Sequence, residues 1–195
     1  MPCYAWGIPA QACGVGAKLV GFEGSTCRSC YALRGFYRQT KVQAAYSRRL
    51  ERFDAPLWVT AMAKLVYWQV AETGEPYFRW FDSGDLQSVD MLCRIAEVAA
   101  ATPEVQHWLP TREYAIVASY LRQWAFPPNL TVRVSAPMVN GPTPRQFGLS
   151  TSTVHSSSGN VVGLACSAYT SKPASCADCR ACWDPKVENV SYPLH

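Results

Sequence analysis

The sequence predicts an α/β fold: a shortened, partial (β/α) barrel-like parallel sheet with cysteine-rich loop segments at its N- and C-terminal ends. Three observations predict it. Between residues 76 and 136, short apolar runs give way to polar turns and then to amphipathic helical patterns, the alternation expected of βαβ units in a parallel sheet. Only four or five strands can be counted, too few to close an eight-stranded barrel. Eight of the nine cysteines lie outside this core, in residues 1–39 and 166–195.

The length of 195 residues suits a single domain. It divides into an N-terminal segment (1–39), a βα core (40–165) and a C-terminal cysteine segment (166–195). Residues 1–39 are rich in Gly, Pro, Ala and Cys and show little periodicity. They hold Cys13 and the knuckle Cys27-Arg-Ser-Cys30-Tyr31, which together make a three-cysteine site with one metal corner open to a small molecule. Thr40-Lys-Val-Gln43 reads as a capping box opening a helix whose apolar face is Val42, Ala45, Tyr46, Leu50 and Phe53. Asp54 is the expected N-cap of the next helix, with Pro56 in its first turn and Gly74 as its stop.

A strand is predicted over 77–81, ending in Asp82-Ser83-Gly84-Asp85, with a helix over 86–101 that buries Cys93 as a core thiol. A second strand, 105–109, runs into Pro110-Thr111-Arg112-Glu113 and a helix to about residue 125. A third, 130–134, ends in Ser135-Ala136. Residues 150–159 are polar and read as a loop, and 160–165 as a short last strand that delivers Cys166.

In parallel α/β folds, ligands bind where strands end. Asp82, Ser83, Asp85, Thr111, Arg112, Glu113, Arg133 and Ser135 are therefore the candidate substrate-binding residues. Arg79 and Arg133 interrupt otherwise apolar strands. A buried guanidinium needs a partner, which an acidic turn or an anionic ligand would supply. His107 alternates with Gln106 and Trp108 in a strand and reads as a solvated or hydrogen-bonded histidine in preference to a ligand. No nucleophile–base, zinc-protease or phosphate-loop motif is present.

The tail carries the strongest signal. Cys176-x2-Cys179-x2-Cys182, with Cys166 upstream, presents four thiols on a short polar tether. Four thiolates gather only around a cation, and this run suits the corners of a [4Fe–4S] cluster better than the paired knuckles of a zinc site. An odd cysteine count fits disulfide pairing poorly. The N-terminus has no charged and apolar leader pattern, and no stretch reaches membrane-span length, so a cytoplasmic protein is expected. The net charge of +4 permits a nucleic-acid partner without requiring one. A monomer is expected, served by a small ligand or an electron donor.

The chain resembles the phage gene product 88 family. The likeness rests on Ile8-Pro-Ala10 with Cys13, Cys27-x2-Cys30-Tyr31-Ala32, Asp82-Ser-Gly-Asp85, Pro110-Thr-Arg-Glu113, Val132-Arg-Val-Ser135 and Cys176-x2-Cys179-x2-Cys182-Trp183-Asp-Pro185. It implies a virus-encoded protein acting in a bacterial cytoplasm. More distantly, Cys13, Cys27, Cys30 and Tyr31 look similar to the first loop of radical S-adenosylmethionine enzymes, which are partial barrels. Cys13 and Cys27 stand farther apart than in that superfamily's standard motif. Ser83-Gly84-Asp85 falls where those enzymes hold the methionyl amine, and the tail cysteines look like their auxiliary-cluster segments. The resemblance implies one or two [4Fe–4S] clusters and S-adenosylmethionine as a candidate cofactor. The functional expectation is an iron–sulfur protein with redox or radical chemistry on a small ligand. The alternative is a zinc-stabilised protein that binds nucleic acid or a host protein, with Cys27/Cys30 and Cys176/Cys179 as its knuckles.

Overall fold

Side chains along each central strand point alternately to two very different surroundings, and this alternation organises the molecule. The computed structural model describes residues 1–168 and 175–194. The helices are α1 (Val15–Leu19), α2 (Thr40–Arg52), α3 (Trp58–Thr73), α4 (Val89–Ala101) and α5 (Tyr114–Leu121). The strands are β1 (Ala5–Trp6), β2 (Tyr77–Trp80), β3 (Gln106–Thr111), β4 (Leu130–Val139), β5 (Thr151–His155), β6 (Leu164–Ala165) and β7 (Asn189–Pro193). The strands form one open sheet in the order β1-β2-β3-β4-β5-β7-β6, parallel throughout.

Phe78 and Trp80 of β2, Leu109 of β3, and Leu130 and Val132 of β4 face the helices. There they join Trp58, Met62 and Val66 of α3 and Met91, Leu92 and Ile95 of α4 in the main core. His107 lies in the same layer, fully buried and stacked on Trp80. Its Nδ1 accepts from Trp80 Nε1 at 3.2 Å. Thr102 Oγ1 donates to Val98 O, so His107 Nε2, 2.8 Å away, must donate to Thr102. The ring is therefore a neutral Nε2–H tautomer, and burial pushes its pKa down to about 3. Of the two readings the sequence leaves open, solvated or hydrogen-bonded, the structure has the hydrogen-bonded one. His195 lies outside the described residues.

The opposite strand positions, Arg79, Trp108, Thr131 and Arg133, face the cysteine segments. Thr131 Oγ1 donates to Trp183 O at 2.7 Å, and Trp183 Nε1 donates to Phe78 O at 2.9 Å, which lays the tail across the sheet. Trp183 packs edge-on against Trp108, with Cys3 in the same small cluster.

Seven strands replace the expected four or five. β1 has only two residues, too few for any period. β5 was expected to be loop because Thr-Ser-Thr is polar, yet all three residues are buried. Their hydroxyls are satisfied across the sheet: Thr151 to Asn189 Oδ1, Ser152 to Ser135 Oγ and Thr153 to Ser191 Oγ. β7 hides in the tail for the same reason. Residues 158–160 form a 3₁₀ turn, so the last predicted strand shrinks to Leu164–Ala165.

Caps also differ from expectation. α2 begins after Gln39 without a side-chain cap, and Gln43 instead donates to Tyr37 O. α3 starts at Trp58, beyond Asp54 and Pro56, and ends on the left-handed Gly74. Ser88 caps α4, its Oγ accepting from Met91 N at 3.0 Å. No helix among the described residues is long and apolar enough to cross a membrane.

Candidate functional site

The face opposite the helices holds a cavity of about 1060 Å³. Cys13, Cys27 and Cys30 reach it from the loops after β1. Cys166, Cys176 and Cys182 reach it from the tail, and Cys3 from the N-terminus. Two segments far apart in the chain thus present seven of the nine cysteines to one space. Cys179 is exposed and off this wall, and Cys93 is on α4.

The N-terminal trio is held by the ends of β3 and β4. Val15 N donates to Glu113 Oε1 at 2.7 Å, anchoring the start of α1. Thr26 N donates to Pro137 O and Val139 N to Gly24 O, tying the loop to the end of β4. Cys30 N closes a turn on Cys27 O, and Cys27 N donates to Ser25 Oγ. Gly16 leaves room for this approach. A Cβ there would lie 3.1 Å from Cys13 Cβ and 3.6 Å from the Sγ atoms of both Cys13 and Cys27. Burial, reinforced by Asp85 and the neighbouring cysteines, pushes the Cys13 thiol up to about 12.

The tail sulfurs rest on the sheet through backbone contacts. Cys166 N donates to Ser191 O, and Cys182 Sγ lies 3.2 Å from Tyr192 Oη. Burial lifts Cys182 to about 11 and Cys3 to about 12. Arg180 reaches both Glu75 oxygens at 3.0 and 3.1 Å and lies over the Tyr77 ring. Among the described residues, no three His, Cys, Asp or Glu side chains stand close enough to hold one metal ion. Cysteine sulfur is by its chemistry a donor for soft metals. Thiols this buried stay protonated without a cation beside them, and a metal is the ordinary agent that makes such groups thiolates.

Of the eight predicted substrate-binding residues, Asp82, Ser83, Asp85, Arg112 and Ser135 line the cavity. Asp85 Oδ1 accepts from Leu86 N at 2.8 Å and Thr111 Oγ1 at 2.6 Å, and Oδ2 accepts from Arg112 N at 2.8 Å. Desolvation raises its pKa to about 6 against the pull of these donors. Thr111 and Glu113 therefore sit behind the wall, one holding Asp85 and the other α1.

Arg133 corrects the expectation most. It pairs with no acidic turn among the described residues; its donors all go to backbone carbonyls, of Thr151, Ala181, Cys182, Asp184 and Val187. It is a bracket for the tail, because carbonyl oxygens of an irregular segment can satisfy a guanidinium as well as a carboxylate can.

At this wall the sequence did not nominate Tyr46 or Trp108. Tyr31 Oη donates to Asp82 O and Tyr46 Oη to Asp82 Oδ2, both at 2.6 Å. Four enclosed polar atoms of residues on this wall have no hydrogen-bond partner among the described residues: Arg79 Nε, Asp82 Oδ1, Ser83 Oγ and Trp108 Nε1. Only the alternation Gln106-His-Trp108 hinted that Trp108 points away from His107.

Fold and site together define an open parallel α/β protein with a thiol-lined cavity beside the strand ends. The chain belongs to the phage gene product 88 family, whose family model matches residues 3–185. No curated protein and no solved structure matches it.

Proposed function

We propose that this phage protein is an iron–sulfur protein that works in the host cytoplasm on a small ligand held in the cavity. One observation carries the reading: the seven cysteines that converge on a single space from two separate segments. Cys13, Cys27 and Cys30 are the ligands for one [4Fe–4S] cluster, whose fourth iron stays open to the ligand. Cys166, Cys176, Cys179 and Cys182 are the ligands for a second, with Cys3 as an additional sulfur beside Cys176. Bound clusters supply one-electron chemistry.

The chain's own residues bind and orient. Asp82 and Ser83 line the cavity, while Asp85, held by three donors, stiffens the turn that carries them. S-adenosylmethionine is the candidate ligand for the open iron, on the likeness to partial-barrel radical enzymes.

Anaerobic purification tests this. Brown protein with broad absorbance near about 400 nm, iron and acid-labile sulfide is the expected result. Colourless protein with stoichiometric zinc supports instead the zinc-stabilised binding protein. Formation of 5′-deoxyadenosine from S-adenosylmethionine under reducing conditions tests the cofactor separately.

A further inference from the structure

The positive charge of the chain is concentrated in one stretch. Residues 34–52 carry Arg34, Arg38, Lys41, Arg48, Arg49 and Arg52 against a single acid, Glu51, while the rest of the chain has twelve Lys or Arg against thirteen Asp or Glu. Five of the six cations are exposed; the sixth, Arg49, is half-buried and lies over the Tyr46 ring at 5.1 Å. On α2, Lys41, Arg48 and Arg52 stand seven and four residues apart, which places them in one stripe about 16 Å long. The 3₁₀ turn Gly35–Arg38, just before the helix, adds Arg38, with Arg34 preceding it. Gln43 Nε2 donates to Tyr37 O at 2.6 Å, and Tyr37 stacks on Tyr46, so turn and helix form one platform. Neither ion pair found among the described residues includes any of the six; they join Arg94 to Asp90 and Arg180 to Glu75. Between Arg34 and Arg38 stands Phe36, 66% exposed.

We propose that this platform binds single-stranded nucleic acid, with phosphates along the α2 stripe and a base stacked on Phe36. A row of cations without acidic partners is complementary to a regularly charged polyanion, and contact releases the counterions held by both. An exposed ring beside such a row is the stacking surface that unpaired bases use. Bases in a duplex are already stacked on one another, so a duplex would leave Phe36 without a partner. A helix lying on a membrane needs an exposed apolar face. On α2 the apolar side is turned inward: Tyr46 is buried, and Leu50 and Phe53 pack on the main core. The neighbouring residues Tyr31, Leu33 and Tyr37 belong to the cavity wall, so a strand on the platform lies along the edge of the cavity. Residues 34–52 contain no cysteine, and the platform therefore stands whether or not a cluster is bound.

The test uses the full chain, purified anaerobically, and a fluorescein-labelled oligothymidylate of about twenty nucleotides, followed by fluorescence anisotropy. Competitors are the same strand annealed to its complement, poly-L-glutamate, and vesicles of phosphatidylserine and phosphatidylcholine. Saturable binding that weakens steeply with salt is expected, with each competitor at least several-fold poorer than unlabelled single strand. The triple variant Lys41→Gln/Arg48→Gln/Arg52→Gln should bind about tenfold or more weaker, with a log–log salt slope shallower by about 2. Phe36→Ala should weaken binding by about fivefold or more and leave that slope unchanged. Lys186→Gln, an exposed cation on the tail, is the control and should bind as wild type does. Absence of binding at about 0.1 M salt overturns the proposal. So does a duplex, polyglutamate or vesicle that competes as well as single strand, or a Lys186→Gln loss equal to that of the triple variant. Wild-type affinity in the triple variant or in Phe36→Ala overturns it as well. If the triple variant loses its helical circular dichroism, Arg34→Gln/Arg38→Gln decides: binding weakened several-fold supports the platform, and unchanged binding overturns it. Iron content is measured on the same preparations, so loss of the cluster reading and loss of this surface are told apart.

Discussion

Arg133 is fully buried, and its five backbone contacts use every N–H it has. Four of those carbonyls belong to the tail around Cys182. Lysine has too few donors to replace it, and methionine has none. Arg133→Met should destabilise the chain by about 3 kcal/mol or more and expose the tail to limited proteolysis first. His107 sets a pH dependence. Its folded pKa lies below its unfolded value, so its contribution is present above pH 6.5 and is lost as pH falls toward 3. Between pH 6.5 and 5 that loss is about 2 kcal/mol. Asp85, raised to about 6, acts in the opposite sense: its contribution is lost as pH rises from about 4 through 6. Denaturation of wild type and His107→Gln side by side isolates the histidine, and the difference between them should shrink on acidification.

At the scale of elements, the exits of β1 and β2 are locked together. Ile8 N donates to Ser83 O at 3.0 Å, and Gly84 takes a φ of +80° directly against Ile8. A Cβ at Gly84 would collide with Ile8 Cγ1 and approach its carbonyl oxygen at 2.9 Å. Gly84→Ala therefore combines a left-handed backbone with a steric clash, and should cost more than the ~1 kcal/mol of an unstrained exchange, read from denaturant midpoints. The tail makes a graded series. Cys182 is pinned between Arg133 and Tyr192 and faces the cavity, whereas Cys179 is turned outward. Cys182→Ser should lose tail-bound iron, and Cys179→Ser should be the mildest of the tail substitutions because Cys3 stands on the same wall. Iron per chain in anaerobic preparations measures both.

For the whole molecule, the sheet acts as a partition. Helices α3 and α4 and the main core occupy one face; seven of the nine cysteines and the cavity occupy the other. The two sulfur groups enter from opposite ends of the chain and are braced separately, one by Glu113 and β4, the other by Arg133, Thr131 and Ser191. They should therefore load independently. Replacing Cys13, Cys27 and Cys30 with serine is expected to remove about half of the iron and sulfide, and replacing the tail cysteines the other half.

The strand–turn–helix alternation, the two cysteine segments and the polar strand ends were legible in the amino-acid order, because periodicity reports which side of an element is buried. Asp82, Ser83, Asp85, Arg112 and Ser135 could be nominated on that basis. β5 and β7 could not, because their buried hydroxyls satisfy one another only across a sheet whose order is non-local. Cys3 and Trp108 carry no local signal that they share a wall. Arg133 looked like a ligand residue because burial of a charge can be inferred from its neighbours, whereas the identity of its partners cannot. Which distant segments meet, and which side chains line a common cavity, is a property of the assembled sheet, since those contacts form only when both faces are in place.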